Sequence, residues 1–102
     1  MAGSDRSEGR ERGIKRPDLY VVARFLEKLW TAGRPVKRTR LQMAVGLNYG
    51  TFMKYLDWML DRNLIAISKG DQGGDHVTLT KRGYDSYDRI VNWINGMIPG
   101  EI

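Results

Sequence analysis

Apolar residues recur at helical spacing in the first third of the chain. Leu19, Val22, Phe25, Leu26, Leu29 and Trp30 stand three and four apart, which predicts a helix with one buried face. Pro17 and Asp18 open it, because proline fits a first helical turn and an acid there complements the helix dipole. Gly33 stops it and Pro35 prevents its continuation. A second helix is expected to start near Lys37 or Thr39 and to end at Gly46, with Leu41, Ala44 and Val45 facing inward. Gly46 can take a positive φ and turn the chain sharply. Leu47 plugs that corner, and Asn48 caps a third helix running to about Arg62. In the third helix Phe52, Tyr55, Leu56 and Met59 point inward by periodicity, while Gly50, Thr51, Lys54 and Trp58 point the other way.

The period then changes. Leu64–Ser68 is a short β-rich run, Lys69–Asp75 contains three glycines and two acids, and His76–Thr80 alternates. Two short strands around a glycine-rich loop read as a β-hairpin. A last helix follows over 81–98, capped by Thr80 and ended by Pro99. Tyr84, Tyr87, Val91, Ile94 and Ile98 alternate spacings of three and four, the seam pattern of a coiled coil, and Ile90, Trp93 and Met97 widen it. A monomer would leave that strip exposed, so these residues are expected to form a homodimer interface, which an outward Trp58 would join. Residues 1–16 read as a disordered basic tail: they carry five cations and three acids, with only Met1, Ala2 and Ile14 apolar.

The order is therefore helix, helix–corner–helix, hairpin, helix. The expected fold class is mainly α (α+β): a winged helix-turn-helix domain over 17–99, with three helices, a two-stranded hairpin wing and a C-terminal dimerisation helix. In a helix-turn-helix the second helix of the pair enters the major groove of DNA.

Charge sharpens this picture. The 102 residues suffice for one domain and carry a net charge of +5, which favours a polyanionic partner. The stretch Gly33–Leu56 holds Arg34, Lys37, Arg38, Arg40 and Lys54 but no Asp or Glu. An acid there would face phosphates, whereas Arg34, Lys37, Arg38 and Arg40 can neutralise them. Asn48, Tyr49, Gly50, Thr51 and Lys54, at the start of the third helix, are the candidates for base edges and nearby phosphates. Lys69 at the base of the wing is a further phosphate candidate. Asp71 and Asp75 in the wing shift weight from the wing to the second and third helices.

Arg40–Ile65 resembles the small archaeal winged-helix proteins of the ten-kilodalton DNA-binding type. Their Leu-Ser-Tyr corner, Tyr-Leu pair and Gly-Leu-Ile entry to the wing correspond to Leu47-Asn48-Tyr49, Tyr55-Leu56 and Asn63-Leu64-Ile65. Leu79–Gly83 resembles their Leu-Thr-x-x-Gly at the start of the last helix. Asn48 stands for the usual Ser and Asn63 for the Gly, both compatible with the same local geometry. The resemblance implies a winged helix that dimerises through its final helix and binds double-stranded DNA.

Other chemistry finds little purchase. The chain has no cysteine, so disulfides and thiolate metal sites are excluded. His76 is the only histidine, and a structural role is expected for it. Asp71–Asp75 lacks the further ligands of a calcium loop and the Lys-Ser/Thr of a phosphate loop. No catalytic triad assembles. The expectation is a non-enzymatic, cytoplasmic, nucleoid-associated protein without cofactor, metal, membrane span or readable small-molecule pocket. The alternative is a winged helix used as a protein–protein interaction module, which the wing acids and an outward Trp58 would suit.

Overall fold

The computed structural model describes residue 14, residues 16–71 and residues 73–97. The elements follow in the order α1 (Leu19–Ala32), β1 (Val36–Lys37), α2 (Arg38–Val45), α3 (Tyr49–Asp61), β2 (Ile65–Lys69), β3 (Asp75–Leu79) and α4 (Lys81–Gly96). The winged helix-turn-helix expected from the sequence is present, with one addition. The sheet has three strands, in the order β1-β3-β2, all antiparallel. The short β1 pairs Val36 with Val77 and Lys37 with His76 along the edge of β3 that β2 leaves open. Two residues are too few to show a strand period, so this pairing is a tertiary product. The wing strands each lie within a residue of their expected positions.

α1 begins two residues after Pro17, where the sequence opened it, because Asp18 is its cap: the carboxylate accepts from the Tyr20 N–H at 2.9 Å. Val22, Phe25, Leu26 and Leu29 are buried. Leu19 and Trp30 are exposed, which corrects the expectation that all six apolar residues share one buried face. At about 100° per residue both fall just beyond Leu26, on the edge of the stripe. Trp30 is instead met by Tyr87 of α4, with ring centroids 5.4 Å apart.

α2 buries Leu41 and Val45, but Ala44 is exposed, contrary to expectation. The helix ends at Gly46 with φ 71°, a left-handed conformation that disfavours a side chain. The carbonyl of Val45, left without a helical partner, accepts from Arg24 Nη1 of α1 at 2.9 Å. Gln42 Nε2 donates to the Leu47 carbonyl at 3.2 Å and closes the corner.

α3 buries Phe52, Tyr55, Leu56 and Met59, as its periodicity predicts. Phe25 stacks on Phe52 at 5.4 Å and on Tyr55 at 6.0 Å, so α1 and α3 share one aromatic centre. The Tyr55 hydroxyl accepts from the Asp18 N–H at 3.0 Å and ties the start of α1 to the middle of α3. Trp58, expected to point outward, is half-buried against the core. It lies on the flank beside Tyr55, and the Arg62 guanidinium sits 4.1 Å from its ring centroid. Leu64, Ile65, Val77 and Leu79 close the core from the sheet side. Ile14 packs against that core as well; the rest of the 1–16 segment, Arg16 apart, lies outside the described residues.

α4 is seated on the turn that precedes the sheet. Asn63 takes a positive φ of 58°, which asparagine tolerates. Thr80 donates its hydroxyl to the Asn63 carbonyl, and Thr80 Oγ1 itself accepts from the Gly83 N–H at 3.0 Å. The Thr80 N–H donates to the Leu64 carbonyl at 3.1 Å. A Cβ on Gly83 would stand 2.1 Å from that carbonyl oxygen. The Thr-x-x-Gly signature thus has a mechanical reason: the threonine caps and latches, and the glycine lets helix and turn touch.

Candidate nucleic-acid interface

The surface follows from the corner. Gly46 turns the chain and Asn48 restarts it, its side chain accepting from the Thr51 N–H at 2.9 Å. The cap fixes Asn48 Oδ1 to the helix, so that oxygen stabilises α3 first. Tyr49 and Gly50 then stand at the exposed first turn, with Tyr49 58% exposed. A Cβ on Gly50 would meet only Asn48 Oδ1 at 3.7 Å, so this backbone is open to close approach. Lys54 is exposed one turn further on, and Thr51 is half-buried. The N-terminus of α3 therefore offers a helix dipole's positive end, small side chains and a cation, a combination suited to phosphate and base edges.

The remaining cations fall into two groups. Arg34, Lys37 and Arg40 are exposed, on the turn after α1, on β1 and on α2. Among the described residues no carboxylate pairs with them or with Lys54. Arg38 and Lys69 are engaged otherwise. Asp75 at the start of β3 accepts from Lys69 Nζ at 2.8 Å on one oxygen and from Arg38 Nη1 at 3.0 Å on the other. The hydrogen bond from Lys69 is the main force holding the Asp75 carboxyl below the usual carboxylate range, with the Lys69 and Arg38 charges adding to it against some desolvation. The sequence marked Arg38 and Lys69 as phosphate candidates and Asp75 as an acid weakening the wing. The structure brings the three together, so Asp75 is largely neutralised where it stands and Asp71 is the exposed acid of the wing loop.

His76 lies between Lys37 and Ser68 across the sheet, and its imidazole covers Gly70. Sequence reasoning missed Lys28, which belongs to the same face of the molecule as Arg34, Lys37 and Arg40 through a shared cleft. It sits among the polar residues of α1, where spacing gave it no special mark.

α4 presents the expected seam unevenly. Tyr84, Trp93, Ile94 and Met97 are exposed and Val91 is half-buried. Tyr87 and Ile90 pack against the chain's own core, and Ile98 lies outside the described residues. Only Gly83 of this helix is fully buried. A shallow groove of about 290 Å³ runs between α1 and α4, from Tyr20 to Ile94.

A helix–corner–helix whose second helix is capped and presented, followed by a sheet hairpin, defines the winged helix-turn-helix class. A family model described as winged helix-turn-helix matches residues 15–97, and the chain belongs to that family. No curated protein sequence matches the chain. Among solved structures, a MarR family transcriptional regulator from Silicibacter pomeroyi DSS superposes with a TM-score of 0.68 at 26% identity, over 76% of this chain and 52% of that one. The chain thus spans about half the length of that regulator. F93 from STIV, a winged-helix DNA-binding protein, gives 0.67 at 15% identity, over 79% of this chain and 91% of that one. Sso10a-2, a DNA-binding protein from Sulfolobus solfataricus, gives 0.64 at 20% identity, over 78% and 80%.

Proposed function

We propose that the chain binds double-stranded DNA as a homodimer, with α3 in the major groove, and that it serves as a transcriptional regulator or an architectural protein of the small basic archaeal type. The observation that carries this reading is the acid-free run Gly33–Leu56, which folds into the turn, α2, the corner and the exposed start of α3. Arg34, Lys37, Arg40 and Lys54 contact phosphates; Tyr49, Gly50 and Thr51 face base edges, with Asn48 holding the helix that carries them. The neighbours described as DNA-binding proteins and transcriptional regulators support the same reading. Among the described residues no helix is long and apolar enough to cross a membrane; the DNA-binding reading carries with it a cytoplasmic, nucleoid-associated location. Its work is binding, with no catalytic step and no cofactor.

The dimer forms through the apolar residues of α4 that the chain's own core does not cover, Tyr84, Val91, Trp93 and Ile94, of which Val91 and Ile94 also line the groove against α1. Two-fold symmetry then sets the two α3 helices about one DNA turn, roughly 34 Å, apart or a multiple of it. The half-buried Trp58 removes one of the two features that favoured a protein-interaction module, and the pairing of Asp75 weakens the other.

The test is binding to a random-sequence duplex of about three helical turns across a salt series. Tight binding that falls steeply with salt is expected, and the log–log slope counts the phosphates neutralised. Absence of binding at low salt, both to random sequence and to a pool put through site selection, would overturn the reading.

A further inference from the structure

Lys28, Arg34, Lys37 and Arg40 come from four consecutive pieces of structure: α1, the turn after it, β1 and α2. They line one open cleft of about 460 Å³, floored by apolar residues including Leu41 and Ala44, and no Asp or Glu lines it. Nor does any residue of α3. The helical period explains why. Along α2, Arg40 and Ala44 are one turn apart on the flank towards α1, while Thr39 and Met43 form the other exposed flank. Like charges brought together repel, and nothing in the core requires these four, since all four residues are exposed. A concentration of cations without acids, set to the side of the presented helix, has a ligand's shape.

We infer that this cleft is a second phosphate-binding surface, which takes the backbone of the same duplex beyond the part covered by α3. The inference rests on the DNA-binding reading and extends it. Each domain grips DNA at two places, at the start of α3 and along the α1–α2 flank, so the duplex is drawn against the side of the domain. The occupant is a nucleic-acid backbone because four cations, each on a different piece of structure, line the cleft with no acid among them. An array of that kind matches a row of phosphates better than a single anionic group. Lys28 thereby joins the interface, although it lies in the helix that precedes the helix–corner–helix pair.

The experiment compares wild type with Lys28→Gln, the one cleft cation outside the interface proposed above, on two duplexes, one of about one helical turn and one of about three turns, by fluorescence anisotropy across a salt series. Lys28 is exposed, so the variant is expected to melt like wild type, and that is measured first. On the long duplex the variant's log–log salt slope should be shallower by about 0.9, the amount one lost phosphate contact removes. On the short duplex the two proteins should give the same slope. Equal slopes on the long duplex would overturn the inference. An equal loss on both duplexes would also overturn it, because the cleft would then belong to the footprint of α3. Failure of wild type to bind either duplex would sink the DNA-binding reading itself, a different outcome from either of these.

Discussion

Arg38 at the start of α2 and Asp75 at the start of β3 meet across 37 positions of the chain, Nη1 donating to Oδ2 at 3.0 Å. The contact pins the wing to the helix–corner–helix unit, and Lys69 completes it from β2. It also means that two cations read from the sequence as phosphate ligands have an internal anion in hand. A phosphate arriving at either must compete with a carboxylate already placed.

Asp75→Asn should therefore change two measurements in opposite senses. The depressed carboxyl contributes stability that is present above the unfolded-state value, about 3.8, and is lost as pH falls through the lower folded value. Thermal melts of wild type and variant should differ by a constant amount at neutral pH, and the difference should shrink below about pH 4. A gap that is independent of pH would show that the pair adds nothing through ionisation. In DNA binding the variant should gain, with a salt slope steeper by about 1 to 2, because Arg38 and Lys69 are released to phosphate.

Arg38 and Arg40 should now behave differently, although they stand two residues apart in an acid-free run. Arg40→Glu, on an exposed flank with no carboxylate partner among the described residues, should weaken DNA binding and leave the melting temperature within about 2 °C of wild type. Arg38→Glu would set a carboxylate against Asp75, so the wing should loosen as well, seen as faster amide exchange at Val77 and Ile67. Identical melting and exchange for the two variants would deny Arg38 a structural role.

Gly83 offers a test of the latch under α4. Gly83→Ala would place a Cβ 2.1 Å from the backbone oxygen of Leu64, which cannot swing away as a side chain could. A loss of about 2 kcal/mol or more is expected in denaturant melting. Gly96→Ala in the same helix meets nothing within 4 Å and should be neutral or stabilising by up to about 1 kcal/mol. If both substitutions gave the same small change, the close approach would not be a constraint on the fold.

The parts of the fold visible in the sequence were those set by local pattern. Phe52, Tyr55, Leu56 and Met59 repeat at helical spacing and are buried together; Gly46 and Asn48 mark the corner by backbone chemistry alone. What escaped depends on partners far along the chain. β1 exists only because β3 has an edge to offer. Trp30 is exposed at the margin of its stripe and finds Tyr87 57 positions later. The candidate site divides in the same way. The acid-free run was plain to see, but the capture of Arg38 and Lys69 by Asp75, and the meeting of Lys28 with Arg34 and Arg40, are products of topology.

Tyr87 and Ile94 separate the two duties of α4. The sequence placed both on one seam, yet Tyr87 lies against Trp30 and the chain's own core, whereas Ile94 is 37% exposed. Tyr87→Ala should therefore destabilise each subunit, by about 1 to 2 kcal/mol for a half-buried aromatic, whatever the oligomeric state. Ile94→Glu, or Val91→Glu beside it, should leave the subunit folded and abolish the dimer by putting an unpaired charge into an apolar contact. Sedimentation equilibrium at micromolar concentration is the deciding measurement. A dimeric wild type and a monomeric, folded Ile94→Glu would assign the α1–α4 groove and its α4 rim to a second copy of the chain. A wild type already monomeric would refute the dimer. A dimer that survives both charge substitutions would move the interface elsewhere, and the exposed Leu19 and Tyr20 of α1 would then be the next apolar surface to test.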